Sequence, residues 1–196
     1  MFIIKEFRKI LYIVIIIAAL LSLYFGAYSP FVKARKYITA LGTISNVHTI
    51  QDFEAVFDRV FNFYSPVGSE EVVKFLSNDI LNLTSQQGQP EAVSRELVRY
   101  IEPHLFLNNN VRHLMTGGQL YLTLFNNYGQ KPEDFKKALN YYERAFMIGP
   151  KLPPVLYGLF NLYIQSGQKD KAKEIGQIIL NYWPDNDQIR GLISSL

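Results

Sequence analysis

The sequence contains no cysteine. This absence excludes disulfide bonds, thiolate metal ligands and a cysteine nucleophile, although it does not identify the compartment. An excess of charge is also missing, because 20 basic residues face 17 acidic ones and the signs are interspersed. Such a balance produces no long-range field that attracts nucleic acid, so we expect no nucleic-acid partner.

Strand patterns are missing too, because Val and Ile residues do not alternate with polar residues over any useful length. After residue 50, apolar residues instead recur every three or four positions, which is typical of amphipathic helices. Thr49 and Asp52 form a capping box that predicts a helix start, and Ser69 is expected to cap the next helix. The chain is therefore predicted to be all-α.

Residue patterns for catalysis or metal binding are scarce. No two of the three histidines stand three or four residues apart, so we interpret them as loop or surface residues. They are His48, His104 and His113. Glu70 and Glu71 directly follow Ser69, where negative charge stabilises a helix start rather than supplying acid-base chemistry. We predict no catalytic residue, no metal site and no cofactor, and hence no enzyme.

One long hydrophobic run lies at the N-terminus, with no charged residue between Lys9 and Lys33. Leu11–Tyr28 as a helix would extend about 27 Å, which is close to the thickness of a bilayer core. The run is longer than the apolar part of a signal peptide, and Phe-Gly-Ala-Tyr is a poor cleavage site. We therefore predict an uncleaved transmembrane helix, with a signal peptide and a buried helix as alternatives.

Charge does not decide the orientation of this helix, because equal numbers of basic residues flank it. They are Lys5, Arg8 and Lys9 before the run and Lys33, Arg35 and Lys36 after it. The N-terminal tail is too short to form a domain. We therefore expect the tail to stay in the cytoplasm and the C-terminal domain to lie outside it.

The end of the chain is periodic. Large, small and proline residues recur at the offsets of a 34-residue helix-pair pattern. The matching residues are Leu156, Leu159, Tyr163, Gly167, Ala172 and Pro184, and, 34 residues earlier, Ala138, Ala145 and Pro150. The first helix of the earlier unit fits if about eight residues are inserted, which predicts a two-turn extension to Asn127. Phe160 stands where the pattern has a small residue, and Gly176 stands where it has a large aromatic one. We expect the large and small side chains to compensate for each other across the helix interface.

These residues resemble the tetratricopeptide repeat (TPR) family. The resemblance implies an α-α superhelix whose first helices line a concave groove for a peptide or protein segment. The implied groove residues are Arg112, Met115 and Gln119 in the earlier unit and Tyr157, Asn161 and Gln165 in the last unit. Their amide and guanidinium groups suit the backbone of an extended peptide. An ordinary solvated face remains the alternative.

The whole layout also resembles the C-terminal end of bacterial O-antigen ligase-related membrane proteins. It consists of an apolar helix, the stretch VKARKYITAL, a Phe-rich helix and then repeats. The resemblance implies an accessory subunit or detached tail of envelope glycan assembly at the bacterial inner (plasma) membrane. No activity follows, because the loops that hold the ligase chemistry are absent from this sequence.

The sequence thus predicts a single N-terminal transmembrane helix followed by a TPR-like helix-pair domain. The predicted organisation is a tail (1–10), the transmembrane helix (11–30), a juxtamembrane stem (31–50), a degenerate repeat region (51–110) and repeats with a C-terminal cap (111–196). Whether the stem continues the membrane helix is left open. The predicted function is a membrane-anchored scaffold that binds a protein or peptide partner at the membrane surface.

Overall fold

The computed structural model describes the backbone of residues 2–196 and the side chains from Phe7 onward. Over these residues the chain is built from helices without strands, which confirms the all-α prediction. It divides into two compact units, one ending at Val72 and the other extending from Val73 to Leu196.

The helices follow one another with short connections. In the first unit they are α1 (Phe2–Leu23), a π-helical turn (Tyr24–Tyr28), α2 (Ser29–Thr43), a 3₁₀ turn (Ile44–Asn46) and α3 (Ile50–Phe61), and the division falls inside α4 (Ser69–Ser85). In the second unit they are α5 (Glu91–Ile101), a 3₁₀ segment (Glu102–Asn109), α6 (Val111–Asn127), α7 (Pro132–Ile148), α8 (Pro153–Gln165), α9 (Lys169–Tyr182) and α10 (Asp187–Ser195).

One helical stretch among the described residues is long and apolar enough to cross a membrane, and it lies within Phe7–Asn46. Its side chains are exposed from Phe7 to Tyr28. The π-helical turn joins α1 directly to α2, so the predicted stem is helical as far as Thr43. Pro30 accounts for the wider turn, because its ring clashes with the carbonyl four residues earlier in a regular helix.

Lys33 of α2 is buried in the first unit and ties α2 to the chain that follows α3. Its Nζ donates to the backbone oxygen of Phe63 at 3.1 Å and to Oγ of Ser69 at 2.6 Å. Burial lowers the pKa of the Lys33 ammonium, because a low-dielectric site disfavours the charged form. The prediction that Ser69 caps α4 is wrong: the Val72 amide bonds to the oxygen of Gly68, and Ser69 accepts from Lys33 instead.

The start of α3 confirms the predicted cap, since Oγ1 of Thr49 accepts from the amide of Asp52 at 3.1 Å. The apolar stripe that follows turns inward. Its buried members are Phe53, Phe57 and Val60. The ring of Phe57 lies 6.3 Å from that of Tyr37 in α2, so aromatic packing joins the two helices.

Ion pairs connect α5 to the start of α7. The guanidinium of Arg95 donates to both carboxylate oxygens of Asp134, at 3.0 and 2.8 Å, and to Oε1 of Glu91 at 2.7 Å. Lys131 donates to the same Glu91 oxygen at 2.6 Å. Asp134 is only 3% exposed, and the bidentate guanidinium satisfies both of its carboxylate oxygens.

The Asn-rich stretch before α6 breaks the helical backbone. Asn108 and Asn109 have positive φ values of 54° and 49°, a conformation that Asn tolerates better than most residues. Asn110 then caps α6, because its Oδ1 accepts from the amide of Arg112 at 2.9 Å.

Candidate partner-binding surface

The helix pairs α6 with α7 and α8 with α9 occupy the positions of the predicted repeats. α6 ends at Asn127 as expected, but with 17 residues against 13 in α8 it is only about one turn longer. α7 has 17 residues against 14 in α9. The predicted two-turn extension of α6 is therefore wrong, since the inserted residues are shared between both helices of the pair.

The predicted signature residues pack inside these pairs or end them. The buried ones are Ala138, Ala145, Leu156, Leu159, Tyr163 and Ala172. Gly167 lies between α8 and α9 with a φ of 71°, a left-handed conformation that glycine adopts without a Cβ clash. Pro150 and Pro184 are exposed just beyond the ends of α7 and α9.

Two adjacent glycines allow α7 to approach α6 closely. A Cβ on Gly117 would lie 2.6 Å from Cε1 of Tyr141, and a Cβ on Gly118 would lie 2.6 Å from Cδ2 of Tyr142. Carbon atoms pack best at about 3.5–4.0 Å, so neither position has room for a methyl group unless a ring moves. The two glycines thus allow close contact between the helices.

The ring of Tyr142 lies between glycines of two different helices. One edge faces Gly118 of α6, and the opposite edge has Cδ1 only 2.8 Å from where a Cβ on Gly158 of α8 would lie. Burial raises the pKa of the Tyr142 phenol, and the side chain of Gln119 hydrogen-bonds to it. A single ring therefore links α6, α7 and α8.

The last repeat reverses this arrangement of large and small residues. Phe160 of α8 is fully buried, and its Cε2 lies 2.9 Å from where a Cβ on Gly176 of α9 would stand. In the earlier pair the first helix supplies Gly118 and the second supplies Tyr142. The contact between Phe160 and Gly176 is the compensating exchange that we expected from the sequence.

The groove residues predicted on α6 lie on one face of the helix, at positions three and four apart. Arg112 and Gln119 are exposed, whereas Met115 is partly buried and packs against the core formed by α8 and α9. The three side chains thus form a stripe with an apolar centre and two polar ends.

The groove residues predicted on α8 also consist of exposed polar residues and one residue that packs against the core. Asn161 and Gln165 are exposed, and Tyr157 packs against the core that Met115 also contacts. The structure therefore brings Met115 and Tyr157 to one apolar cluster. The four polar residues of the predicted groove remain accessible.

Tyr157 also has a structural partner that sequence reasoning missed. Its hydroxyl accepts from Nδ2 of Asn186 at 2.7 Å, while Oδ1 of the same amide accepts from the backbone of Ile189 at 3.1 Å. Asn186 thereby caps α10 and fixes the Tyr157 ring. The signal was present in the sequence, because an Asn three residues before an apolar helical residue is a typical cap.

A second feature missed by the sequence is a cavity of about 390 Å³ among α7, α8 and α9. Its lining includes Tyr163, whose hydroxyl donates to Oε1 of Glu143 at 2.9 Å. Burial and then the Glu143 carboxylate raise the pKa of this phenol. Lys171 lies 3.6 Å from the same carboxylate oxygen and above the Tyr163 ring, so these three lining residues are paired with one another.

The histidines differ in environment. His48 is exposed and His104 is partly buried, but His113 is only 2% exposed, so the surface interpretation is wrong for His113. Its place four residues before Gly117 puts it on the inward face of α6, which the sequence pattern could have shown. Within residues 7–196, no group of three or more His, Cys, Asp or Glu side chains is arranged to hold a metal ion.

Comparison with known proteins concerns the last four helices. No curated protein matches the chain in sequence, and nothing found supports a relationship to O-antigen ligases. The description "Tetratricopeptide repeat" belongs to a family model that matches residues 131–196, so the match includes α7 to α10 and leaves α6 outside. The segment 131–196 is therefore similar to tetratricopeptide repeats, as the spacing of its Ala, Leu and Pro residues predicts.

Proposed function

We propose that the chain is a membrane-anchored scaffold whose repeats bind a segment of a protein partner at the membrane surface. The family match at residues 131–196 carries this proposal, since tetratricopeptide repeats generally mediate protein–protein interactions. The apolar helix within Phe7–Asn46 supports the anchor. The proposed location is a bacterial inner membrane, with the repeats outside the cytoplasm.

The stripes on α6 and α8 form the proposed binding groove. Met115 and Tyr157 supply apolar contact at its base, and exposed amide and guanidinium groups beside them suit the main chain of an extended peptide. The polar groups are those of Arg112, Gln119, Asn161 and Gln165. Few repeats offer a short groove, so we expect weak intrinsic affinity.

The anchor compensates for weak affinity. Holding the repeats at the surface that the partner also occupies raises their effective concentration, and short tethers give values in the millimolar range. A groove that binds only weakly in free solution is then sufficient.

Removing the polar groove residues is expected to abolish partner capture without unfolding the repeats. The variant combines Arg112→Ala, Asn161→Ala and Gln165→Ala, and it spares Tyr157 because that ring packs in the core. We expect at least a tenfold loss of partner recovered with tagged full-length protein from detergent extracts, quantified by mass spectrometry. Three lost polar contacts of about 0.5–1.5 kcal/mol each account for this loss.

The matched control replaces one basic, one Gln and one Asn residue on another helix. Lys173, Gln177 and Asn181 are exposed on α9, and alanine at these positions removes the same chemistry outside the groove. Equal loss in both variants, or no loss in either, would rule out the groove. A captured polytopic glycan-assembly protein would instead support the second interpretation, an accessory part of such machinery, which rests only on layout.

Charge placed in the apolar helix is expected to release the protein from membranes. Ile16→Lys with Leu20→Lys introduces two cations into the proposed span, each costing about 3 kcal/mol near its centre. The control places the same charges at Ile38 and Ile44, which are also exposed but lie beyond the span. Alkaline extraction of membranes is expected to release the variant with charges inside the span and to leave the control variant in the membrane. The mass of the unmodified protein shows whether the N-terminal segment is retained, as in an anchor, or removed, as in a cleaved signal peptide. Equal extraction of both variants would contradict the anchor.

A further inference from the structure

A cationic cavity of about 480 Å³ lies between α2 and α3 in the first unit. Three basic side chains contribute to its lining, Arg35, Lys36 and Arg59, and no acidic side chain does. Thr39 and Tyr28 also line it. The cavity therefore offers several positive charges and no negative one, an arrangement suited to an anion.

Tertiary packing builds this cavity, because its cations come from two helices. Arg35 and Lys36 belong to α2, whereas Arg59 belongs to α3. The aromatic contact between Tyr37 and Phe57 holds the two helices together. Lys36 is further oriented by the ring of Phe63, 5.4 Å from its Nζ. A run of basic residues flanking an apolar helix would not place a third cation opposite the first two.

The cavity also lies at a defined distance from the apolar helix. Arg35 is seven residues beyond Tyr28, or about 10 Å along the helix axis. The headgroup layer of a bilayer occupies roughly 5–8 Å on each side of the hydrocarbon core. An Arg side chain can reach back over several ångströms, so its guanidinium lies at the level of lipid phosphates if the helix spans as proposed.

We infer that this cavity binds the phosphate group of one anionic phospholipid, with Arg35 and Arg59 as its paired cations. The apolar part of the lining, including Val32 and Val56, faces the glycerol and the first acyl carbons. A zwitterionic lipid fits less well, because its choline group meets the remaining cation. This inference rests on the proposed membrane anchor and is independent of the partner-binding groove.

The test titrates detergent-purified full-length protein with phosphatidylglycerol, phosphatidylcholine or inorganic phosphate and counts bound molecules by native mass spectrometry. We expect one phosphatidylglycerol to bind at least tenfold more tightly than phosphatidylcholine. Arg35→Gln with Arg59→Gln is expected to weaken phosphatidylglycerol binding about 25-fold, since each cation near an anionic lipid surface contributes about fivefold. Arg35→Lys with Arg59→Lys retains both charges and is expected to keep most of the binding.

The control variant, Lys136→Gln with Lys173→Gln, removes the same net charge at exposed positions of α7 and α9. Equal weakening by both charge-removing variants, or equal affinity for the two lipids, overturns the site while leaving membrane retention intact. Displacement of the lipid by inorganic phosphate at equal concentration overturns the lipid as the source of the anion. If the unmodified protein is not retained in membranes, the proposed anchor itself is wrong. Failure of the lipid site and failure of the anchor are therefore distinguishable.

Discussion

Phe160→Ala is expected to lower the free energy of unfolding by about 3–5 kcal/mol, the range for a large aromatic truncated in a packed core. Phe160 is fully buried between α8 and α9, and the glycine opposite it cannot extend into the vacated space. The expected fall in the thermal midpoint is roughly 6–20 °C for a chain of this size. Circular dichroism of the full-length protein in detergent measures it.

The opposite change tests whether the two positions compensate. Gly176→Phe alone overpacks the site against Phe160 and Ile193, at a cost of about 1–3 kcal/mol. Combined with Phe160→Ala, the new ring enters the space that the old one leaves. We therefore expect the double variant to be more stable than the sum of the single effects by at least about 1 kcal/mol.

Phe75→Ala is the control for side-chain loss, because Phe75 is 47% exposed and its truncation leaves no cavity in the core. Strict additivity of the two changes would show that Phe160 and Gly176 do not share one space. A Phe160→Ala effect no larger than that of Phe75→Ala would contradict the packing of the last repeat.

Arg95→Ala is the second substitution with a large expected effect, a loss of about 3 kcal/mol. Removing the guanidinium leaves the Asp134 carboxylate buried without its bidentate partner, and a broken buried pair costs about 3–5 kcal/mol. We place the loss at the low end of that range, because the Arg95 side chain is 29% exposed and solvent screens part of its charge. The thermal midpoint reports the loss in the same assay.

Arg99→Ala is the matched control, because it changes the same residue type in the same helix. The Arg99 side chain is 65% exposed and pairs with Glu96, so we expect a change below about 1 kcal/mol. Arg95→Met with Asp134→Leu removes both charges and is expected to recover much of the loss. If that double variant were as unstable as Arg95→Ala, the buried carboxylate would not be the cause.

Local chemistry explains most of what the sequence predicted correctly. The Thr49 cap and the inward stripe of α3 depend on residues within one or two turns, so short patterns are sufficient. The repeat period placed α7 and α9 because Ala138 and Ala172 occupy equivalent packing positions. The exchange at Phe160 and Gly176 could be predicted because the 34-residue period identified these two positions as the ones that depart from the repeat pattern.

The remaining features depend on residues far apart in sequence. The pair of Arg95 with Asp134 and the contact of Lys33 with Ser69 follow no short spacing, so only the folded chain shows them. Ser69 was assigned as a cap because caps are common for serine. The way in which the inserted residues divide between α6 and α7 could not be predicted either. Lengthening either helix by a turn preserves its inward face, so both divisions fit the same sequence pattern.

The opposed arrangement of rings and glycines determines which helices can pair. If α8 took the place of α6 against α7, Phe160 would stand where Gly118 stands, and its ring would compete with Tyr142 for one space. If α6 took the place of α8 against α9, Gly118 would meet Gly176 and leave a void. Two similar repeats in one chain usually risk exchanging partners during folding, within a molecule or between two copies. Here each wrong pairing is penalised by shape alone, so two helix pairs of similar design keep their order along the chain.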